Sequence, residues 1–136
     1  MNLTAVLVAG VVYFIIGFLF HGPFFGKLWM RLANIVPTGN EKFKDMVPQI
    51  LWNLLANIVT AFVIEGIFWA AFPSGLIGER TAFRGAVVAA WLWLGFIVTG
   101  SSLEVIWMKR PLPLWVFELV SSLVGMLAMG AILAGW

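Results

Sequence analysis

Apolar residues occur along this chain in four long runs, and shorter polar segments separate them. The runs cover residues 3–20, 47–72, 85–107 and 114–136. A helix of about 20 residues is long enough to cross a hydrocarbon core roughly 30 Å thick. The runs do not alternate between polar and apolar positions, as the strands of a membrane barrel do. The pattern therefore predicts an all-α fold, an integral membrane bundle of four transmembrane helices that forms a single transmembrane domain over residues 1–136.

The first run is interpreted as an uncleaved helix and not as a secretory signal. The segment Met1–Thr4 lacks the basic residues that open a signal peptide, and no small-residue cleavage site precedes a polar chain. We therefore expect this run to remain as the first transmembrane helix.

Composition supports a lipid environment and excludes several kinds of site. Hydrophobic residues make up 62% of the chain and charged residues 10%, against about 25% charged residues in soluble domains. The chain has no cysteine and a single histidine, so disulfides, thiolate metal sites and multi-histidine metal sites are excluded within one chain. The net charge of +2 comes from scattered basic residues that form no basic face for nucleic acid. We expect no metal, no cofactor and no nucleic-acid partner.

A short surface helix is predicted after the first span. The sequence His21-Gly22-Pro23 should end that span, because proline cannot continue the helical hydrogen bonds. Over residues 24–34 apolar side chains recur at helical spacing on one face, while Lys27 and Arg31 lie on another. This pattern predicts an amphipathic helix on the membrane surface, with Lys27 and Arg31 in contact with lipid headgroups.

The basic residues of the loops favour one orientation in the membrane. The first and third loops lie on the same side and together hold six basic residues, namely Lys27, Arg31, Lys42, Lys44, Lys109 and Arg110. The second loop holds two, Arg80 and Arg84. The positive-inside rule then predicts a multi-pass protein of the cell (inner) membrane, with these two loops in the cytoplasm and both termini outside. A dual or inverted topology remains the alternative.

An ion pair is predicted at the opposite side of the bundle. Glu65 is the one ionisable residue of the second run, and Arg84 lies at the start of the third run on the same side. A charged group inside a bilayer needs a partner or a water-filled cavity. We therefore predict a structural ion pair between Glu65 and Arg84, with a proton-coupling carboxylate as the alternative.

A polar intramembrane cluster is predicted near the third loop. Because the link Met108–Pro113 is short, spans three and four must be antiparallel neighbours, and Glu104 and Glu118 reach similar depths. The predicted cluster consists of His21, Asn53, Asn57, Ser101, Glu104, Glu118 and Ser122. One interpretation is a hydrogen-bonded network that fixes helix packing, with Lys27 or Arg31 as counter-charges. The alternatives are a site for a cation, a proton or a small amine, and an interface with another subunit.

Four segments of the sequence resemble a known family. They are the opening Met1-Asn2-Leu3, the segment 22–30 with Gly-Pro-Phe-Phe-Gly-Lys-Leu-Trp-Met, the tetrapeptide Trp93-Leu94-Gly95-Phe96 and the closing residues 129–136. The chain resembles the domain-of-unknown-function family 1761 over nearly its whole length. The resemblance implies a small bacterial membrane protein with four spans and no assigned activity, and it implies no catalytic residue.

Three classes of function stay open. The leading hypothesis is a structural or interaction protein that forms a homo-oligomer or serves as an accessory subunit of a membrane assembly. The alternative is a small proton- or cation-coupled transporter or channel that uses intramembrane carboxylates. A lipid-modifying enzyme is a third class, but no nucleophile or metal set accompanies Glu104 and Glu118, so we expect no enzymatic activity. A lone His21 before Gly-Pro favours an interfacial hydrogen bond, with ligation of haem or a pigment as the alternative.

Overall fold

The computed structural model describes all residues, Met1–Trp136, and every regular element in it is helical. In chain order the elements are α1 Leu3–His21, α2 Gly26–Leu32, α3 Phe43–Ala71, α4 Ala82–Leu92, a π-helical segment Trp93–Val98, α5 Thr99–Trp107 and α6 Leu112–Gly135. The segment Ala82–Trp107 is one continuous long helix, which we call span three. Four helices are long and apolar enough to cross a membrane. The predicted all-α membrane bundle is therefore confirmed.

The helix boundaries follow local capping chemistry. Asn2 caps α1, because its side-chain oxygen accepts a hydrogen bond from the backbone N–H of Ala5 at 3.1 Å. Thr81 caps α4 in the same way through the N–H of Arg84, at 3.2 Å. The helix α3 begins at Phe43, one turn before the apolar run, and so includes the polar residues Lys44 and Asp45.

The surface helix is shorter than the predicted range 24–34. The turn that follows His21 extends through Phe25, and α2 covers only Gly26–Leu32. Asn34 has a φ of 55°, in the left-handed region, so the helix cannot continue through it. Lys27 and Arg31 are both exposed on α2, which packs against α1 and α6.

The long helices pack side by side in the order α3, α1, α6, α4. The helix α6 contacts α1 along one side and α4 along the other, whereas α3 packs mainly on α1. Small residues permit the closest of these approaches. A Cβ atom added to Gly85 of α4 would overlap the carbonyl oxygen of Gly130 on α6, and one added to Gly130 would overlap that of Gly85. Backbone therefore meets backbone at this crossing, as in other tightly packed membrane helices.

The buried core lies at one end of the bundle. Its fully buried large side chains are Phe68, Met129 and Leu133, and the carboxylate of Glu65 lies among them. We call this region, which also holds the chain termini and the second loop, the Glu65 end. The opposite region, with the first and third loops, is the His21 end. There α5 has little contact with α6, and the helices leave an open space between them.

Candidate functional site: a polar cavity at the His21 end

A cavity of about 740 Å³ lies between α1, α3 and α6 at the His21 end. Its apolar wall includes Phe14, Phe18 and Ile50. Its polar lining consists of Tyr13, His21, Gln49, Asn53, Asn57, Glu118, Ser121 and Ser122. The volume is in the range of small-molecule pockets. The cavity lies where α3 packs on α1 and makes little contact with α6.

His21 and Glu118 form the charged centre of this cavity. The Nδ1 atom of His21 lies 2.8 Å from the carbonyl oxygen of Gly17, and Nε2 lies 2.9 Å from Oε2 of Glu118. Because a carbonyl oxygen can only accept, Nδ1 must carry a proton and donate it. A hydrogen bond between Nε2 and Oε2 then requires one further proton between them. The pair is therefore a proton-holding site, and both side chains are partly exposed.

Arg110 connects this pair to the third loop. Its Nη1 atom donates to Oε2 of Glu104, and its Nη2 atom lies 3.9 Å from Oε1 of Glu118. The structure thus places Arg110 between the two glutamates. Lys27 and Arg31, predicted as possible counter-charges, make no ion pair and stay on the exposed surface. Their contact with lipid headgroups remains a prediction.

The predicted polar cluster divides between two sides of α6. His21, Asn53, Asn57, Glu118 and Ser122 line the cavity, and the side-chain nitrogen of Asn57 donates to the amide oxygen of Asn53 at 2.9 Å. Ser101 and Glu104 lie outside the cavity. The hydroxyl of Ser101 accepts a hydrogen bond from the indole of Trp115 at 2.8 Å, which ties α5 to the first turns of α6.

Several residues of the site lie outside the predicted cluster. Tyr13 and Ser121 line the cavity, and Trp29 of α2 packs its ring edge-on against His21, with ring centroids 5.1 Å apart. Trp93 donates from its indole nitrogen to the hydroxyl of Ser122 at 2.8 Å. The sequence pattern marks Arg110 only as a basic loop residue, although its position six residues after Glu104 is a usable signal for an ion pair between them.

The ion pair at the Glu65 end needs a correction, because Glu65 pairs with Arg80 and not with Arg84. The Nη2 atom of Arg80 donates to both carboxylate oxygens of Glu65, at 3.0 and 2.8 Å, and to the carbonyl oxygen of Leu133 at 2.8 Å. The backbone N–H of Asn2 also donates to Glu65, at 3.2 Å. Arg84 lies on an exposed position inside α4 and makes no ion pair, whereas Arg80, in the loop before α4, reaches the carboxylate.

Four transmembrane helices, a small surface helix and a polar cavity between three of the spans define a small multi-pass membrane protein. The chain belongs to the family described as "Protein of unknown function (DUF1761)", whose family model matches residues 4–134. Comparison with curated proteins and with solved structures found no match.

Proposed function

We propose that this protein is a non-catalytic structural subunit of a membrane assembly, in the simplest case a homo-oligomer, and that span three makes the contact between subunits. The observation that carries the proposal is how little of span three is covered. In its most apolar window only 6% is buried inside the chain, against 22% to 33% for the other three spans. The part of span three that α6 does not cover faces either lipid or another protein.

The surface of span three favours a protein neighbour. Gly95, Thr99 and Ser102 follow one another at spacings of four and three residues. The Thr99 hydroxyl donates to the carbonyl oxygen of Gly95, and the Ser102 hydroxyl donates to that of Thr99. A Cβ atom added to Gly95 would meet nothing within 4 Å. Small residues of this kind let a second helix approach closely, and close packing is a main source of attraction between helices in lipid.

Cysteine cross-linking tests the contact directly, because the chain has no cysteine of its own. In native membranes Thr99→Cys should form a disulfide-linked dimer on mild oxidation, since a symmetric contact through span three would bring the two thiols together. Ile15→Cys is the matched control, because Ile15 is 46% exposed on α1 at a comparable distance from the His21 end. Equal cross-linking at both positions would show random collision and contradict the proposal.

Glycine replacement gives a second test of the same contact. Gly95→Leu should leave the monomer folded and abolish the oligomer, because the added side chain meets empty space within the chain but would obstruct a partner. Gly66→Leu on α3 is the control, since a Cβ atom there also meets nothing within 4 Å. Light scattering of the purified protein should show a loss of mass for Gly95→Leu alone. An unchanged mass would remove span three as the interface.

We also propose that the protein lies in the cell (inner) membrane with both termini outside. The distribution of basic residues supports this orientation, because the His21 end holds six of them and the Glu65 end holds two, Arg80 and Arg84. Reporter fusions at Trp136 that are active only in the cytoplasm would contradict the orientation.

A second candidate function is proton- or cation-coupled transport, which the proton-holding pair in the cavity wall favours. Intramembrane carboxylates are typical of proton and ion pathways. In proteoliposomes with an imposed pH gradient, the protein should then dissipate the gradient, and Glu118→Gln should abolish this activity. Glu104→Gln is the control, because Glu104 is the other carboxylate beside Arg110 but lies outside the cavity. An identical effect of both variants would contradict a specific role of the cavity.

A further inference from the structure

Five polar groups around the cavity have unused hydrogen-bonding capacity. The close partner of the Glu118 carboxylate is His21, at Oε2; at Oε1 the nearest Arg110 nitrogen is 3.9 Å away, and the Trp29 indole lies beside the carboxylate. The hydroxyl groups of Tyr13 and Ser121 have no partner within the chain, and neither do the amide nitrogen of Asn53 and the amide oxygen of Asn57. At membrane depth such groups need water or a ligand, because lipid chains offer no hydrogen bond.

The charge of the lining restricts the class of ligand. No lysine or arginine lines the cavity, and the one basic lining residue, His21, is already engaged with Glu118 and Gly17. An anion would therefore find no net positive charge in the lining, since the proton that His21 and Glu118 share leaves this pair neutral overall. A cation would find a carboxylate oxygen that is free to accept a hydrogen bond, together with two aromatic rings, those of Tyr13 and Trp29, whose faces attract cations.

The shape of the cavity indicates an apolar body as well as a charge. Phe14, Phe18 and Ile50 line it beside the polar groups, and a bare metal ion would use none of these side chains. The volume of about 740 Å³ also exceeds what an inorganic cation needs. The lining thus offers a carboxylate on α6 and, on α1 and α3, apolar side chains beside polar ones.

We propose that this cavity is a binding site for a small organic cation, a protonated amine that carries an aromatic or branched apolar group. The ammonium group donates to Oε1 of Glu118 and to the Ser121 hydroxyl, and the apolar group lies against Phe14, Phe18 and Ile50. The inference rests on the cavity described for the second candidate function, but it needs no transport and no oligomer.

Equilibrium dialysis of the full chain in detergent at pH 7.5 tests the charge preference with three matched compounds. They are 2-phenylethylammonium, 2-phenylethanol and phenylacetate, which share the aromatic ring and differ in charge. We expect the amine to bind saturably and at least tenfold more tightly than the alcohol, and phenylacetate to show no saturable binding. Equal binding of all three compounds, or preference for the anion, would overturn the proposal without any variant.

Two variants locate the site. Glu118→Gln should weaken amine binding at least tenfold, whereas Glu104→Gln should change it less than threefold. Gly17→Leu should also abolish binding, because Gly17 lines the cavity and a Cβ atom added there meets nothing within 4 Å, so the new side chain would extend into the cavity. Gly66→Leu, equally unobstructed and outside the cavity, should bind as the unaltered protein does.

The outcomes separate this inference from the proposed functions. Amine binding without dissipation of a pH gradient would reject transport and leave the binding site in place. Transport that persists while 2-phenylethylammonium fails to bind would reject the binding site alone. Unchanged amine binding in Gly17→Leu would also reject it, because the bound amine would then lie elsewhere on the protein.

Discussion

Removal of Arg80 should destabilise the protein more than any other single change of a charged residue. In Arg80→Ala the Glu65 carboxylate, which is 1% exposed, would lose two charge-assisted hydrogen bonds and keep only the Asn2 N–H. Breaking a buried ion pair by removing one partner costs about 3 to 5 kcal/mol. The Arg80 side chain is itself 34% exposed, so water already screens part of the interaction. We therefore expect a loss of about 3 kcal/mol in the free energy of unfolding, at the lower limit of that range.

Removal of the carboxylate should cost less than removal of the guanidinium. In Glu65→Gln the amide oxygen can still accept from Arg80, and a partly exposed arginine can turn its charged group toward water. The expected loss is about 1 to 2 kcal/mol. The double variant Glu65→Gln/Arg80→Ala should be more stable than Arg80→Ala, because it leaves no unpaired charge in the core.

The measurement is an unfolding titration with sodium dodecyl sulfate in mixed micelles, followed by far-UV circular dichroism. Arg84→Ala is the control, because Arg84 belongs to the same segment and carries the same charge but makes no ion pair. It should change stability by less than about 0.5 kcal/mol, as expected for an exposed site. If Arg84→Ala destabilised the protein as much as Arg80→Ala, the assignment of the partner of Glu65 would be refuted.

Three further predictions concern packing, a buried hydrogen bond and a surface turn. Gly130→Ala should lower the free energy of unfolding by about 3 kcal/mol, because its methyl group would overlap backbone of α4. Gly66→Ala should be neutral or stabilising by up to about 1 kcal/mol, since alanine favours helix. The same detergent titration measures both variants. Trp93→Phe should cost about 0.6 to 1.7 kcal/mol through loss of the hydrogen bond to Ser122, and a double-mutant cycle with Ser122→Ala should show that the two effects are not additive. The backbone N–H and the hydroxyl of Thr38 donate to Glu41 and hold the pKa of that exposed carboxyl below its usual value of 4.5. This contribution is therefore present above pH 4.5 and is lost as the pH falls through the lowered pKa. There the hydrogen-exchange protection of the Thr38 amide, measured relative to a free amide at the same pH, should be lost while the spans stay folded.

The four spans were predictable because their signal is local. Length and hydropathy alone define a membrane helix, and each predicted run lies within a few residues of the observed helix. The packing order of the helices was not predictable, since these runs are apolar all round and mark no single inward face. The contact of Gly85 with Gly130 decides how α4 lies on α6, but the sequence holds too many glycines to single out that pair.

The partner of Glu65 depended on a loop whose path the sequence does not reveal. Gly75 and Gly78 both have positive φ values, 74° and 81°, and these turns carry Arg80 back over α3. Counting residues along straight helices therefore favoured Arg84. At the other end the similar depths of Glu104 and Glu118 were predictable, because a short link between two helices fixes their register. In the structure the two glutamates lie on either side of Arg110.

Each end of the bundle holds a glutamate paired with a basic side chain, but Glu65 is buried whereas Glu118 is partly exposed. At the Glu65 end the carboxylate is enclosed and receives donors from Arg80 and from Asn2, so little of its hydrogen-bonding capacity is left for a ligand. At the His21 end Glu118 receives one close partner and keeps an oxygen free, beside a cavity that the chain does not fill. A fully satisfied buried pair fixes structure, whereas an incompletely satisfied one retains affinity for a further group. Glu65 therefore stabilises the fold, and the free oxygen of Glu118 supports the proposed amine site.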